Sequence, residues 1–101
     1  MYLYDIILVL QPKGTAKNAF NPNGNKWEVE YQSADAGPIT VTIGDKKETV
    51  YILGCIGANI NVVGKCKSII LDSCKKTQVH FDACFASCEI VNSQRVQLFC
   101  R

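Results

Sequence analysis

A solenoid of stacked β-strands, a parallel β-helix or a close relative of one, is the architecture that this 101-residue sequence predicts. Three observations lead there. Apolar and polar residues alternate in short bursts split by Gly, Asn, Asp and Ser, and no helical stripe interrupts them. Apolar positions recur every nineteen residues in the later part of the chain. Turn residues recur with the same step. About nineteen residues is the length of one solenoid coil, and a coil buries its apolar face only by stacking on its neighbours.

The elements follow in chain order. The opening "MYLYDIILVL" is apolar, but Asp5 interrupts it. No basic stretch precedes it and no small-x-small cleavage site follows. It is well short of the ~20 residues a membrane span needs. It reads as a short packed strand or an irregular extension of a cytoplasmic chain. Residues 11–26, "QPKGTAKNAFNPNGNK", hold two of the three prolines and read as a flexible linker. The expected division is therefore an extension over 1–24 and a solenoid domain over 25–101. "WEVEYQ" puts Trp27, Val29 and Tyr31 on one face of a strand. "PITVTIGD" does the same for Ile39, Val41 and Ile43.

The nineteen-residue step then sorts the remainder into columns. Val41, Ile60, Val79 and Leu98 share one, and Ile43, Val62, Phe81 and Cys100 another. Val50, Ile69 and Cys88 form a third, and Ile52, Leu71 and Ile90 a fourth. Gly54, Ser73 and Asn92 align at a turn, followed by Cys55, Cys74 and Ser93. Outward columns predict an amide ladder of Asn59, Gln78 and Gln97, and a stacked ion pair of Asp82 and Arg101. Outward apolar residues Tyr51, Leu53, Ile70 and Val91 cluster as well. They are expected either to be covered, by the Trp27 strand or the amino-terminal extension, or to form partner surface.

Composition narrows the chemistry. A net charge of +2 is too small to indicate nucleic acid. Without a secretory signal, the six cysteines read as reduced thiols rather than a disulfide framework. Cys84 and Cys88 have a zinc-compatible spacing, but structural zinc takes four ligands. His80, the only histidine, falls in an outward column with Thr42 and Phe99, away from the inward Cys88 and Cys100. No metal and no cofactor is expected. Cys55 and Cys74 stack at a turn, where their thiols are expected to approach and an adventitious disulfide is open to them. Cys66 and Cys84 fall near a turn, at positions expected to be exposed.

The segments "NKWEVEYQ", "ETVYILGCIGANINVVGKCKSIILDSCKKTQVHFD" and "CEIVNSQRVQL" resemble the carboxy-terminal domain of cyclase-associated proteins, over roughly residues 25–100. The resemblance implies a right-handed parallel β-helix, here without the family's last coils and swapped hairpin. Homodimerisation through that hairpin is therefore not expected. It also implies a cytoplasmic, actin-cytoskeletal binding protein rather than an enzyme. Such a protein would bind G-actin, with cofilin, and support its ADP-to-ATP exchange and filament turnover. No nucleic-acid or membrane partner is implied. The candidate actin-binding residues are Lys65, Lys67, Asp72, Lys75, Lys76, Asn92 and Arg95.

Charge patterning supports part of that set. Lys76 and Arg95 are nineteen residues apart, so they and Lys75 are expected at one edge. Lys46 and Lys65 suggest a second basic column, with Lys67 nearby. Such residues also simply keep a strand edge solvated; as a binding rim they would steer an acidic partner. Two other readings stand beside this one. The β-helix of tubulin-folding cofactor C and its relatives stimulates GTPases through an arginine, and "QLFCR" offers Arg101 as the finger. The glutamine-phenylalanine-arginine type motif of that group is absent. The third reading is a structural fragment without independent activity.

Overall fold

Parallel pairing organises the chain. The computed structural model describes residues 12–101, so the reading of "MYLYDIILVL" lies outside the described residues. Seven strands follow in order: β1 (Lys17–Asn21), β2 (Lys26–Glu30), β3 (Pro38–Thr42), β4 (Thr49–Leu53), β5 (Asn59–Asp72), β6 (Gln78–Val91) and β7 (Gln97–Cys100). A 3-10 turn, Ala34–Ala36, separates β2 from β3. β2–β4, β4–β5, β3–β5, β5–β6 and β6–β7 are all parallel.

The long strands β5 and β6 bend and serve both walls of the solenoid. Residues 59–63 of β5 pair with β3, and residues 68–72 pair with β4. One wall is therefore β2, β4 and the later halves of β5 and β6. The other is β3, the earlier halves of β5 and β6, and β7. Four coils result, as the nineteen-residue period predicts.

The period holds from the second coil onward and fails in the first. Asn59 pairs with Gln78 and Gln78 with Gln97, nineteen apart in each case. Pro38, however, pairs with Asn59, and Lys26 with Thr49, spacings of 21 and 23. The first coil is longer because its turn holds the 3-10 segment and its second bend, residues 43–48, is also extended. Two expected columns shift by two residues in consequence. Ile39, not Val41, stacks under Ile60, and Val41, not Ile43, under Val62. His80 likewise shares its outward column with Thr40, Asn61 and Phe99, not with Thr42.

The core between the walls is narrow and β-branched. Val29, Val41, Val50, Ile52, Ile60, Val62, Ile69, Leu71 and Val79 are fully buried. Valine and isoleucine suit a pleated wall because their restricted χ1 costs little there. Each fully buried side chain of this size contributes about 1.5–3 kcal/mol. On the outer surface Gln78 donates to Gln97 at 3.2 Å, the Gln78–Gln97 rung of the expected amide ladder. The His80 ring stacks on Phe99 with centroids 4.7 Å apart.

Left-handed residues make the turns. Tyr31, Gly54, Ser73 and Asn92 occupy equivalent places, each with φ between 48° and 62°. Gly57, Lys76 and Arg95 repeat the device three residues on, with φ between 52° and 71°. Gly54 is required for a second reason. The Tyr31 ring lies beneath it, and a Cβ there would sit 2.5 Å from a ring carbon.

The first coil is closed by β1, which pairs antiparallel with β2. β1 lies within the stretch whose composition reads as a linker. Its local sequence is polar and exposed, so only pairing makes it a strand. Gln32 donates its side-chain amide to the Lys17 carbonyl at 3.0 Å, and Phe20 packs on Trp27. Trp27 faces the core above Val50 and donates its indole N–H to Glu48 at 2.9 Å. Glu48 is buried and also accepts the Gly44 N–H at 3.0 Å.

Three outcomes follow. Gly54→Ala should cost about 2–4 kcal/mol in urea unfolding, from left-handed strain plus collision with Tyr31; a loss of only a few tenths would contradict this packing. Trp27→Phe should cost about 1.5–3 kcal/mol by removing a donor from a buried carboxylate. Asp82 accepts from Arg101 Nε at 2.9 Å and from the Gly64 N–H at 2.8 Å, and the Arg101 bond and then the amide hold its carboxyl below the ordinary 3.8. Because the folded value is the lower one, its stabilisation is present above pH ~3.8 and is lost as pH falls through the folded value. A carboxyl titration by NMR should place the Asp82 midpoint below 3.8, and Arg101→Ala should raise it.

Candidate functional site

The candidate residues divide between two bends of the solenoid. Asp72, Lys75, Lys76, Asn92 and Arg95 surround the turns after β4, β5 and β6. Lys65 and Lys67 lie at the opposite bend, in the middle of β5.

The turn "DSCKKT" shows how backbone geometry aims each side chain. Ser73 is left-handed, and Cys74 then points into the core and is fully buried. Lys75 is extended and sits in a bridge with Ile56 and Gln94. Lys76 is left-handed again, and Thr77 is fully buried. The Thr77 hydroxyl lies 3.0 Å from the Lys75 carbonyl and 3.3 Å from the Cys55 carbonyl, which anchors the turn to the coil below.

Lys75 and Lys76 therefore leave the turn in different directions, although the sequence places them together. Lys76 joins Arg95, Gln78, Val96 and Gln97 around a groove of about 470 Å³. Lys75 joins Asn92, Ser73, Tyr31 and Lys13 around a second groove of about 360 Å³. The expectation of one edge holding Lys75, Lys76 and Arg95 is corrected to a ridge with a basic groove on either side. Tyr31 and Ser73 were not among the candidates. The shared turn column of Ser73 and Asn92 was their only sequence signal, and Tyr31 escapes it because the first coil is out of step.

Asp72 stands where the outer wall meets this turn. Its carboxylate accepts the Tyr51 hydroxyl at 2.7 Å and the Ser73 hydroxyl at 2.9 Å. The bond to Asp72, reinforced by burial, holds the Tyr51 phenol above its ordinary 10.0. Tyr51, Leu53 and Ile70 are half-buried, and Val91 is exposed. The Trp27 strand does not cover them, because it pairs edge-on with β4 as the first rung. Its outward Glu28 and Glu30 instead continue the same columns, Glu28 beside Tyr51 and Glu30 beside Leu53. This wall is thus mixed apolar and charged, with Glu28 paired to Lys17 and Lys26 and the Lys26 ammonium 5.2 Å from the Tyr51 ring centroid.

The other bend carries two compensating irregularities. β5 has one residue more than β6 between Val62 and Lys65, and β6 has one more between Cys66 and Ser68. Gly64, at φ 103°, marks the first. The second throws Phe85 outward to 60% exposure, as bulges re-aim side chains. Lys46, Lys47 and Lys67 gather around Phe85. Lys65 is not part of this group, and its expected column with Lys46 does not form. Ile43 bonds Val63 and Lys67 bonds Glu48, so the longer bend of the first coil leaves Lys46 without a register partner at Lys65 and sets it by Lys67 instead. The same shifts turn Cys66 inward, where it is fully buried rather than exposed.

Arg101 is committed locally. It bonds Asp82 and donates Nη2–H to the Val62 carbonyl at 2.7 Å. Among the described residues, no group of three or more His, Cys, Asp or Glu is arranged to hold a metal ion.

Comparison with known proteins bears on this arrangement. The family model "Adenylate cyclase associated (CAP) C terminal" matches residues 16–101. The chain is 39% identical over 79 residues to adenylyl cyclase-associated protein of Dictyostelium discoideum, covering 78% of this chain and 17% of that protein. It is 39% identical over 75 residues to adenylyl cyclase-associated protein 2 of Homo sapiens, covering 74% and 16%. It is 36% identical over 78 residues to cyclase-associated protein 1 of Arabidopsis thaliana, covering 77% and 16%. The chain thus spans about a sixth of the length of these relatives. No solved structure matches it. With the match beginning at the capping strand β1 and running through all four coils, the chain belongs to the family of adenylate cyclase-associated (CAP) C-terminal domains.

Proposed function

We propose that this chain binds actin monomers and supports their ADP-to-ATP exchange, together with cofilin, and so filament turnover in the cytoplasm. The observation that carries the proposal is the family match across the whole solenoid, residues 16–101. On this reading it is a binding protein, not an enzyme. It would act by holding one nucleotide state of its partner more tightly than the other, since a ligand shifts an equilibrium only by such a difference.

The ridge of Lys75, Lys76 and Arg95, with Asn92 and Asp72 beside it, is the surface best suited to an acidic partner. Among the described residues none of its three cations forms an ion pair. Lys76 and Arg95 repeat on successive coils, about 4.8 Å apart in the backbone. Two stacked like charges repel one another, and an opposing carboxylate relieves that repulsion. Lys65 and Lys67 would extend the contact round the opposite bend. The GTPase-stimulating alternative is weaker, because a finger arginine must reach its partner and Arg101 is tied to Asp82 and Val62.

The decisive measurement is release of a fluorescent nucleotide from ADP-actin, with and without the chain. Acceleration is expected, and no change in rate would count against the exchange activity. Lys75→Ala, Lys76→Gly and Arg95→Gly combined should weaken actin binding about tenfold and flatten its salt dependence, with an unaltered circular-dichroism spectrum. Glycine is chosen at 76 and 95 because both positions are left-handed. Undiminished affinity would remove the ridge from the interface.

A further inference from the structure

The six cysteines are not equivalent, and their placement singles out one pair. Cys55 and Cys74 stack in successive coils, but both are fully buried. Each thiol is turned to backbone carbonyls: Cys55 to Leu53 and Val29, Cys74 to Ile52 and Asp72. The Cys74 sulfur and then burial hold the Cys55 thiol far above the usual thiol range. The bond to Cys55 holds the Cys74 thiol below its ordinary 9.0, but with both residues fully buried neither sulfur is open to solution.

Cys66 and Cys84 are different. They are direct register partners on β5 and β6, one strand spacing apart. That spacing, about 4.8 Å between Cα atoms, lies inside the window for a disulfide. Both side chains turn to the core side of the bend, Cys66 fully buried and Cys84 half-buried. The half-buried member gives solution access to a pair whose other member is hidden. Cys84 also bonds the Ser87 carbonyl at 2.9 Å and the Lys67 carbonyl at 3.3 Å across the bulge. Register shifts flank this pair on both sides, between Val62 and Lys65 and between Cys66 and Ser68, whereas Cys55 and Cys74 lie in the turns after β4 and β5.

We infer that Cys66 and Cys84 form a reversible, oxidant-sensitive coil-to-coil disulfide, with a hydroperoxide as the oxidant. Cys84 reacts first. Its thiolate sulfur attacks the distal peroxide oxygen; the S–O bond forms as the O–O bond breaks, giving a sulfenic acid, and the other oxygen leaves with the proton that the thiol had released, as the alcohol, or as water from hydrogen peroxide. The Cys66 thiol then attacks the Cys84 sulfur, the S–S bond forms, and the hydroxyl departs as water with the Cys66 proton. The two sulfurs together lose two electrons and the peroxide gains them. Burial, and then the neighbouring Cys84, push the Cys66 thiol up to about 12, so it serves as the resolving group and not the first nucleophile. Burial and Cys84 likewise push Cys88 up to about 11, although that residue is exposed. In-register parallel stacking leaves the two Cβ atoms wider apart than in a relaxed disulfide, so the bond is strained and readily reduced.

The sequence provides a direct readout. Trypsin releases Cys66 in the dipeptide Cys66–Lys67, and Cys84 together with Cys88 in residues 77–95. After hydrogen peroxide treatment, alkylation of free thiols and digestion, the inference expects the dipeptide covalently joined to 77–95, and its loss after dithiothreitol. Cys88→Ser should retain the joined species, and Cys84→Ser should abolish it. Cys66→Ala should abolish it too, but the wild-type map decides even if that core variant folds poorly. A bond internal to 77–95, linking Cys84 to Cys88, would overturn the inference. So would a map in which Cys66 remains fully alkylated.

Discussion

Everything in this molecule depends on one repeated hydrogen bond, from an amide of one coil to a carbonyl of the coil before it. Lys75 donates to Cys55 and Gln94 to Cys74; Gln78 donates to Ala58 and Gln97 to Thr77. These bonds are parallel and in register, so each side chain lies over its equivalent about 4.8 Å away. The core therefore becomes a set of columns and not a jigsaw of unrelated contacts. A column accepts residues that stack on their own kind, which accounts for the valine and isoleucine. It also accounts for the turns, because a backbone conformation that closes one coil must recur in the next.

The same constraint shapes the surface. A side chain outside the core is placed beside its counterparts whether or not they suit each other. Where they do, the result is stabilising, as with the Gln78–Gln97 amides and the His80–Phe99 stack. Where they do not, as with Lys76 and Arg95, the fold concentrates like charge on a rigid ridge. A flexible loop would disperse that charge. A solenoid holds it in place, which is why the ridge is proposed as the binding surface. The wall carrying Tyr51 and Asp72, apolar with charges of both signs, presents a different character on the same coils.

The strands and most of the period were legible because alternation and nineteen-residue spacing are properties of the chain itself. Ile60, Val79 and Leu98 fall in one column both by the nineteen-residue step and in the strand register. Ile39 and Val41 do not, because extra residues in two bends of the first coil moved them, and a fixed step cannot sense an insertion. β1 was hidden for another reason: "KNAFN" has no alternation of its own and becomes a strand only against β2. The site was less legible than the fold. Adjacent lysines look like one feature in sequence, yet an extended Lys75 and a left-handed Lys76 face different grooves. Cys66 was misplaced, and the outward turn of Phe85 had no signal at all, because two bulges, one in each strand, cancel in the overall count and remain invisible to it.

By itself the sequence determined the repeat, the inward columns beyond the first coil, and the family to which those residues point. These are consequences of residue type and spacing, which the chain carries locally. Only the tertiary structure decided the register of the first coil, the cap formed by β1, the parting of Lys75 from Lys76, and the pairing of Cys66 with Cys84. Each depends on how one coil's backbone meets the next. Hydrogen bonding between coils settles that meeting, at bends where a residue more or less changes the side on which a side chain emerges.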